Sequence, residues 1–536
     1  MDKQKETVIE EFDRESSTHH QIKTWAFLQS VSKRLDGFGV EQRGIERIQP
    51  YERSTNKLRL FVSVIGFWIS AAGGLSTMST FVLSATVFEL EFKQACLCGL
   101  VAMLLGCAIA GYCATMGPKS GCRQMVTARY LFGWWFVKFV AMIGFVGVVG
   151  WSIVNCVLGG QILAAVSDDK VPVWIGIIIV AILSFLVSVF GIKQLLRVEK
   201  FIAIPVLTSF MLMYICSSNS YSYLSKFDNS EVDRMTIKGN WLSFFALAYS
   251  VTATWGTITS DYYILFPEST KSYEVFCLTF FGIGIPSTFV GVLGLILSTL
   301  AMAEPDYANA YDKHGMGGLL LQGFARWNGF GKFCTIVLLL SLIANNIVNT
   351  YSAAFACQLS GVWFAKIPRW LWAIVITAVY LVCALVGRDH FSTILGNFLP
   401  MIGYWISMYF IMLLEENVIF RKYFLSLFTK EFPHEDSTDS SEKDNNIPLG
   451  LRGKRQNYNW SAWNDYGTLT HGFAAIVGFL CGVAGAVVGM AQVYYIGPVA
   501  AHFGEWGGDL GMWLSMAFSG IVYPPLRYWE LKKFGR

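Results

Sequence analysis

The sequence predicts an all-α integral membrane protein, and three observations carry that reading. Of 536 residues, 54% belong to the apolar and aromatic set and only 15% are charged, against about 25% charged in an average soluble domain; mean hydropathy is +0.47. The charges crowd the two ends and a few connections, and between them run apolar stretches of about 20 residues, the length that crosses a ~30 Å hydrocarbon core. Those stretches are continuous rather than alternating, which predicts helices and not barrel strands. The lipid bilayer is therefore an expected partner. The net charge of +4 brings no basic stripe, and nucleic acid is not expected.

Taken in order, twelve transmembrane helices are predicted, at 60–88, 95–116, 131–165, 172–191, 201–217, 241–265, 274–303, 330–364, 369–387, 391–414, 469–496 and 508–526. Spans 9 and 10 are divided only by Gly387, Arg388, Asp389 and His390. Lys and Arg orient the set. The N-terminal segment holds eleven of them from Lys3 to Arg59. Further basic residues mark the 2–3 connection (Lys119, Arg123, Arg129), the 4–5 connection (Lys193, Arg197, Lys200), the 8–9 turn (Lys366, Arg369) and the end (Lys532, Lys533, Arg536). With an even number of spans all of these lie on one side, so both termini are expected in the cytosol. The predicted organisation is a cytosolic tail (1–57), a core of ten spans (58–414), a cytosolic loop (415–468), spans 11 and 12 (469–526) and a short cytosolic tail (527–536). An amphipathic helix is expected near Ile22–Leu35, and residues 433–458 have a disordered composition. Residues 304–329, with Gly315, Gly317 and Gly318, are expected to fold back as short helices over the outer mouth.

The twelve cysteines are scattered, mostly within apolar runs, and read as small packing residues rather than disulfides or metal ligands. The seven histidines fall in tails, connections or span ends. No nucleophile–base set, metal constellation or phosphate loop is legible, so neither catalysis nor a cofactor is expected.

Three spans have unusual interiors. Span 1 carries Ser70-Ala71-Ala72-Gly73-Gly74-Leu75-Ser76-Thr77, and span 6 carries Ser250 to Asp261, both rich in small and hydroxyl residues. Such segments either let helices pack closely or break a helix at the midplane and bare its backbone to a ligand. Their recurrence five spans apart favours the break. In span 3, Trp151 and Asn155 share a helical face by their i, i+4 spacing; the pair is either a stacking surface beside an amide or packing filler with a helix-to-helix bond. In span 8, Asn345, Asn346 and Asn349 put three amides within two turns, and intramembrane polar clusters mark substrate paths. Asp261 is the main acid at depth, readable as a proton acceptor or as one half of an ion pair with a basic loop.

Several motifs resemble the purine–cytosine permease branch of the nucleobase:cation symporter family. They are Gly39-Val40-Glu41-Gln42-Arg43-Gly44-Ile45, Gly117-Pro118 with Gly121-Cys122-Arg123-Gln124-Met125 and Ala128-Arg129-Tyr130, Ser260-Asp261-Tyr262-Tyr263, and Asn345-Asn346-Ile347-Val348-Asn349. Within that branch the run Gly121–Trp135 and the end Lys533-Phe534-Gly535-Arg536 are most similar to the vitamin B6 (pyridoxine) carriers of fungal plasma membranes. The resemblance implies a LeuT-like fold of two five-helix inverted repeats plus two additional helices. It implies a small heteroaromatic, pyridoxine-like substrate stacked between Trp151 and Trp255 and held at its edge by Asn155 and Asn349. Asn346, Gly73, Gly74 and Ser76 complete the candidate site. Purine–cytosine permeases carry Pro where this chain has Val348; a restored N–H should straighten the helix, which argues against an ordinary nucleobase. Sodium-coupled relatives place a hydroxyl pair five and six residues before the substrate amide. Those positions are Ala344 and Ile343 here, so protons are the expected coupling ion and Asp261 the candidate to bind them.

Overall fold

The computed structural model of the protein describes residues 44–190, 192–432 and 457–536. The expected helix at Ile22–Leu35, the motif residues Gly39–Arg43 and most of the 433–458 segment lie outside them. Helices cover every predicted span: α1 (Lys57–Ala72) and α2 (Leu75–Thr86), α3 (Phe92–Ala114), α4 (Arg129–Val166), α5 (Val173–Ser188), α6 (Ile192–Ser217), α7 (Arg234–Ala253), α8 (Ser272–Ala303), α9 (Pro305–Gly323), α10 (Asn328–Leu359), α11 (Arg369–Gly387), α12 (Phe391–Glu415), α13 (Phe473–Gly489) and α14 (Gly511–Phe534). Among the described residues, seven helical stretches are long and apolar enough to cross a membrane, and two shorter apolar helices, α5 and α13, join them. One of the seven, Arg369–Tyr423, runs through two predicted spans, because a 3₁₀ turn at Arg388–His390 carries α11 into α12. Spans 6 and 12 are not among the seven: their helices, Arg234–Ala253 and Gly511–Phe534, are 20 and 24 residues long but less apolar.

Three boundaries differ from the sequence reading. Helix α6 begins at Ile192, not at 201, so the basic 4–5 connection is itself helical. Its Gln, Leu, Arg, Glu and Lys residues are good helix formers, and Leu195, Leu196, Glu199, Ala203 and Val206 make one buried face. Span 11 ends at Gly489, where the chain turns into a small antiparallel hairpin pairing Ala491 with Ile496. Helix α14 continues to Phe534, so most of the expected tail 527–536 is packed helix. There Arg527 and Glu530 are buried in an ionic network. Glu416 accepts from Arg527 Nε and Nη2 (both 3.0 Å) and from Arg421 Nε (3.1 Å), while Arg421 also pairs with Glu431 at 2.6 Å. The expected outer connection does fold as helix, with a kink at His314 and Gly315 in α9.

Helix α4 packs along α10, α7 along α3, and α8 along α2. The last two helices pair with each other and lean on α12. This leaves a polar centre where the two interrupted spans face α4, α10 and α12.

Candidate functional site

Both small-residue segments interrupt their helices. Between α1 and α2 the chain unwinds at Gly73 and Gly74, and its freed backbone groups find side-chain partners. Asn345 Nδ2 donates to the Ala71 carbonyl (2.9 Å); Thr77 Oγ1 and Ser287 Oγ donate to that of Ala72 (2.8 and 3.2 Å). The Leu75 N–H donates to Ser341 Oγ (3.1 Å). Only glycine fits here by space: a Cβ on Gly73 would meet the Ile69 carbonyl and Pro286 Cβ at 2.6 Å, and one on Gly74 would meet Ser341 Cβ at 2.9 Å. In span 6, α7 gives way to two 3₁₀ turns, Thr254–Thr257 and Thr259–Tyr262.

A cavity lies between these breaks and α4, α10 and α12. Four of the expected residues line it: Trp151, Trp255, Asn349 and Ser76. Trp255 is oriented by Trp68, which stands edge-on to it at 5.4 Å and donates its own Nε1–H to Tyr263 Oη (3.1 Å). The wall also contains Asn345, from the amide cluster singled out in span 8, and Thr254 and Trp405, which sequence reasoning missed as site residues. Trp405, on α12, is buried and its Nε1–H has no hydrogen-bond partner. Nothing in the sequence distinguishes it from a packing aromatic. Gly144 and Gly147 leave the α4 wall bare beside it.

The amides form a network around one hub. Ser76 Oγ donates to Asn155 Oδ1 (2.6 Å), and Asn155 Nδ2 donates to Asn345 Oδ1 (2.8 Å) and Asn346 Oδ1 (3.0 Å). Asn349 Nδ2 also donates to Asn345 Oδ1 (2.9 Å). Asn155 and Asn346 are fully buried behind the wall, and Asn346 donates to Cys156 Sγ (3.3 Å). Of the expected amides, then, Asn349 faces the cavity, while Asn155 and Asn346 hold the hub in place. Gly73 and Gly74 make the break without lining the cavity. Helix α10 runs through Val348 without interruption.

Beyond Gly144, Val148, Thr257 and Ile258, which both spaces share, lies a second, narrow chamber. Its wall includes Asp261 and Arg123. Asp261 Oδ1 accepts the Gln124 N–H at 2.7 Å, and Arg123 Nη1 stands 3.9 Å from Oδ2. The guanidinium lies 3.3 Å from the Phe355 ring centroid and donates to Tyr351 Oη (3.1 Å). Gln124 ties the same layer to the second break: its Nε2 donates to Tyr409 Oη (2.8 Å) and its Oε1 accepts the Ser260 N–H (3.2 Å). This is the ion-pair arrangement rather than an isolated proton acceptor.

The expectation that Asp261 is the main buried acid needs correction, because Glu199 on α6 is fully buried as well. It escaped notice because its charged surroundings read as a loop. Ile343 and Ala344 are buried and apolar, and Ser341 Oγ is already engaged, donating to the Leu338 carbonyl (2.7 Å) while accepting from Leu75. Among the described residues no group of three or more His, Cys, Asp or Glu is placed to hold a metal.

Comparison with known proteins gives a consistent picture. Residues 49–429 match the family model described as permease for cytosine/purines, uracil, thiamine, allantoin. The chain is 59% identical over 522 residues to the vitamin B6 transporter TPN1 of Saccharomyces cerevisiae, covering 94% of this chain and 90% of that protein. It is 31% identical over 515 residues to the purine-cytosine permease fcyB of Emericella nidulans, covering 96% and 92%. Among solved structures it is similar to Mhp1, a nucleobase-cation-symport-1 family transporter, in a closed conformation with bromovinylhydantoin bound. That match has a TM-score of 0.60 at 13% identity and covers 92% of this chain and 97% of Mhp1; the fold is shared.

Proposed function

The chain belongs to the family of permeases for cytosine/purines, uracil, thiamine and allantoin, and on that premise we propose that it imports vitamin B6, pyridoxine and related vitamers, across the plasma membrane in symport with protons. The observation that carries the proposal is the cavity itself: indoles at Trp151, Trp255 and Trp405 beside the amides of Asn345 and Asn349. A pyridoxine ring is flat, with hydroxyls around its rim and one ring nitrogen. Stacking on each indole is worth ~1–3 kcal/mol by analogy with bases on aromatics, and each amide bond nets ~0.5–1.5 kcal/mol. The high identity to a vitamin B6 transporter supports this substrate over a nucleobase.

In this reading all twelve spans cross the membrane and both termini lie in the cytosol. The breaks in spans 1 and 6 are counterparts in two inverted five-helix repeats, and spans 11 and 12 stand outside them. Substrate leaves through the second chamber, so the Arg123–Asp261 layer and the shared residues Thr257 and Ile258 must part for release. The apolar Ile343 and Ala344 support proton rather than sodium coupling, because Na⁺ needs several oxygen ligands.

A purine or cytosine proton symporter on the same scaffold is the second reading, supported by the relatives at about 30% identity. Labelled pyridoxine and labelled cytosine, offered side by side to cells lacking both activities, separate the two. Saturable, acid-stimulated pyridoxine uptake that collapses with a protonophore is expected, with cytosine competing poorly. Strong cytosine uptake with none for pyridoxine would establish the second reading.

A further inference from the structure

We infer that Glu199 of α6 is the group that carries the coupled proton. The inference rests on the proton-symport reading and names its site. Glu199 is fully buried, and among the described residues it is the one carboxylate whose two oxygens are both buried without a hydrogen-bond partner. The polar group that faces it is the Ser70 hydroxyl on α1, which does not reach bonding geometry in this conformation; Ser70 Oγ is itself buried without a partner. No charged side chain acts on the carboxyl. On the helices packed around it, Lys57 and Arg59 sit in the first turn of α1, roughly 16–20 Å along the helix from Ser70 by the 1.5 Å rise. Lys332 is on the first turns of α10 and Arg326 on the turn before it. Arg197 and Lys200, on α6 itself, line a surface groove between α1 and α6 together with Glu52 and Arg59.

An ionised carboxylate in such a place costs several kcal/mol, because neither a countercharge nor a donor replaces its water. Glu199 can exchange a proton with water only when α1 and α6 part enough to open onto the groove beside Lys200. Asp261 is differently placed, with the Gln124 N–H bonded to one oxygen at 2.7 Å and the Arg123 guanidinium 3.9 Å from the other. Ser70 also lies next to the substrate machinery. The following carbonyl, that of Ala71, is held by Asn345, the hub that holds Asn349 at the cavity wall. Loading or emptying Glu199 thus bears on the same turn of α1 that the substrate network grips, which is the shared element that coupling between two sites requires.

The test uses the full chain in proteoliposomes, as wild type, Glu199→Gln and Glu199→Asp. Two quantities are measured: pyridoxine counterflow without a pH gradient, and accumulation driven by an acid outside. Wild type should do both. Glu199→Gln, isosteric and unable to release a proton, should keep counterflow and lose gradient-driven accumulation. Glu199→Asp, which moves the carboxyl by one methylene, should still accumulate, with its pH profile shifted. Wild-type accumulation by Glu199→Gln overturns the assignment. Should that variant not reach the membrane, an unchanged pH profile in Glu199→Asp overturns it equally. A wild type that transports pyridoxine but ignores the pH gradient refutes proton coupling itself, and the assignment with it.

Discussion

Replacing Asn345 by alanine is the most informative single perturbation of the site. Its side chain makes three hydrogen bonds, of 2.8 Å to Asn155, 2.9 Å to Asn349 and 2.9 Å to the Ala71 carbonyl. At ~0.5–1.5 kcal/mol net for each, their loss amounts to about 3 kcal/mol. The partners are affected unequally. Asn155 keeps Ser76 and Asn346, whereas Asn349 loses the bond that fixes its amide at the cavity wall, and the α1 break loses a donor that cannot be replaced by water in a buried turn. Much of the cost should therefore appear in ligand binding. A loss of about 3 kcal/mol corresponds to roughly a hundredfold in affinity, so Asn345→Ala should bind pyridoxine about tenfold to a hundredfold more weakly. Asn346→Ala, which removes a residue behind the wall, should weaken binding less. Titration calorimetry on purified protein in lipid nanodiscs measures the affinity, with thermal unfolding recorded in parallel. An Asn345→Ala protein that binds pyridoxine as tightly as wild type would refute the hub role.

Trp151→Ala and Asn349→Ala should each abolish pyridoxine uptake while the protein still reaches the plasma membrane, checked by surface labelling beside the uptake assay. Trp405→Phe keeps an aromatic wall and removes one N–H; if that donor meets the solute, binding should weaken by about 0.5–1.5 kcal/mol, measured by the same titration. Asp261→Asn should slow accumulation more than it weakens binding, because it loosens the Arg123 layer and leaves the cavity walls in place; comparing initial rates with equilibrium binding tests this. Tags after residue 10, near residue 440 and after Arg536 should resist protease in intact cells, and a tag near residue 310 should be cleaved.

The parts of this architecture that the sequence announces are those governed by a single strong term. Apolar length sets the helices. The pairing of two small-residue segments reveals the breaks, since Gly73 and Gly74 have neighbours at 2.9 Å or less where a Cβ would stand. Trp151, Trp255, Asn349 and Ser76 were legible because a polar or flat group at mid-depth needs a reason. What stayed hidden depends on helix rotation and on contacts between distant spans. The sequence could not say which of Asn345 and Asn346 faces inward, since they stand only about 100° apart around the helix. It gave no reason to prefer Trp405 over other aromatics. It also disguised Glu199, whose neighbours Arg197 and Lys200 line an open groove while its own side chain turns inward on the next helical position.

The ionic network joining α12 to α14 has a consequence for sequence drift. Glu416, Arg421, Arg527, Glu530 and Glu431 are buried together, so changing one of them strands a charge that has no water to turn to, at a cost of about 3–5 kcal/mol. Swapping the whole set for well-packed apolar side chains carries no such cost. Single steps are therefore blocked and joint steps are open. Among descendants of a common ancestor these five positions should be kept or exchanged as one unit, and a hybrid gene joining a foreign α14 to this α12 should fail unless both sides of the network come from the same parent.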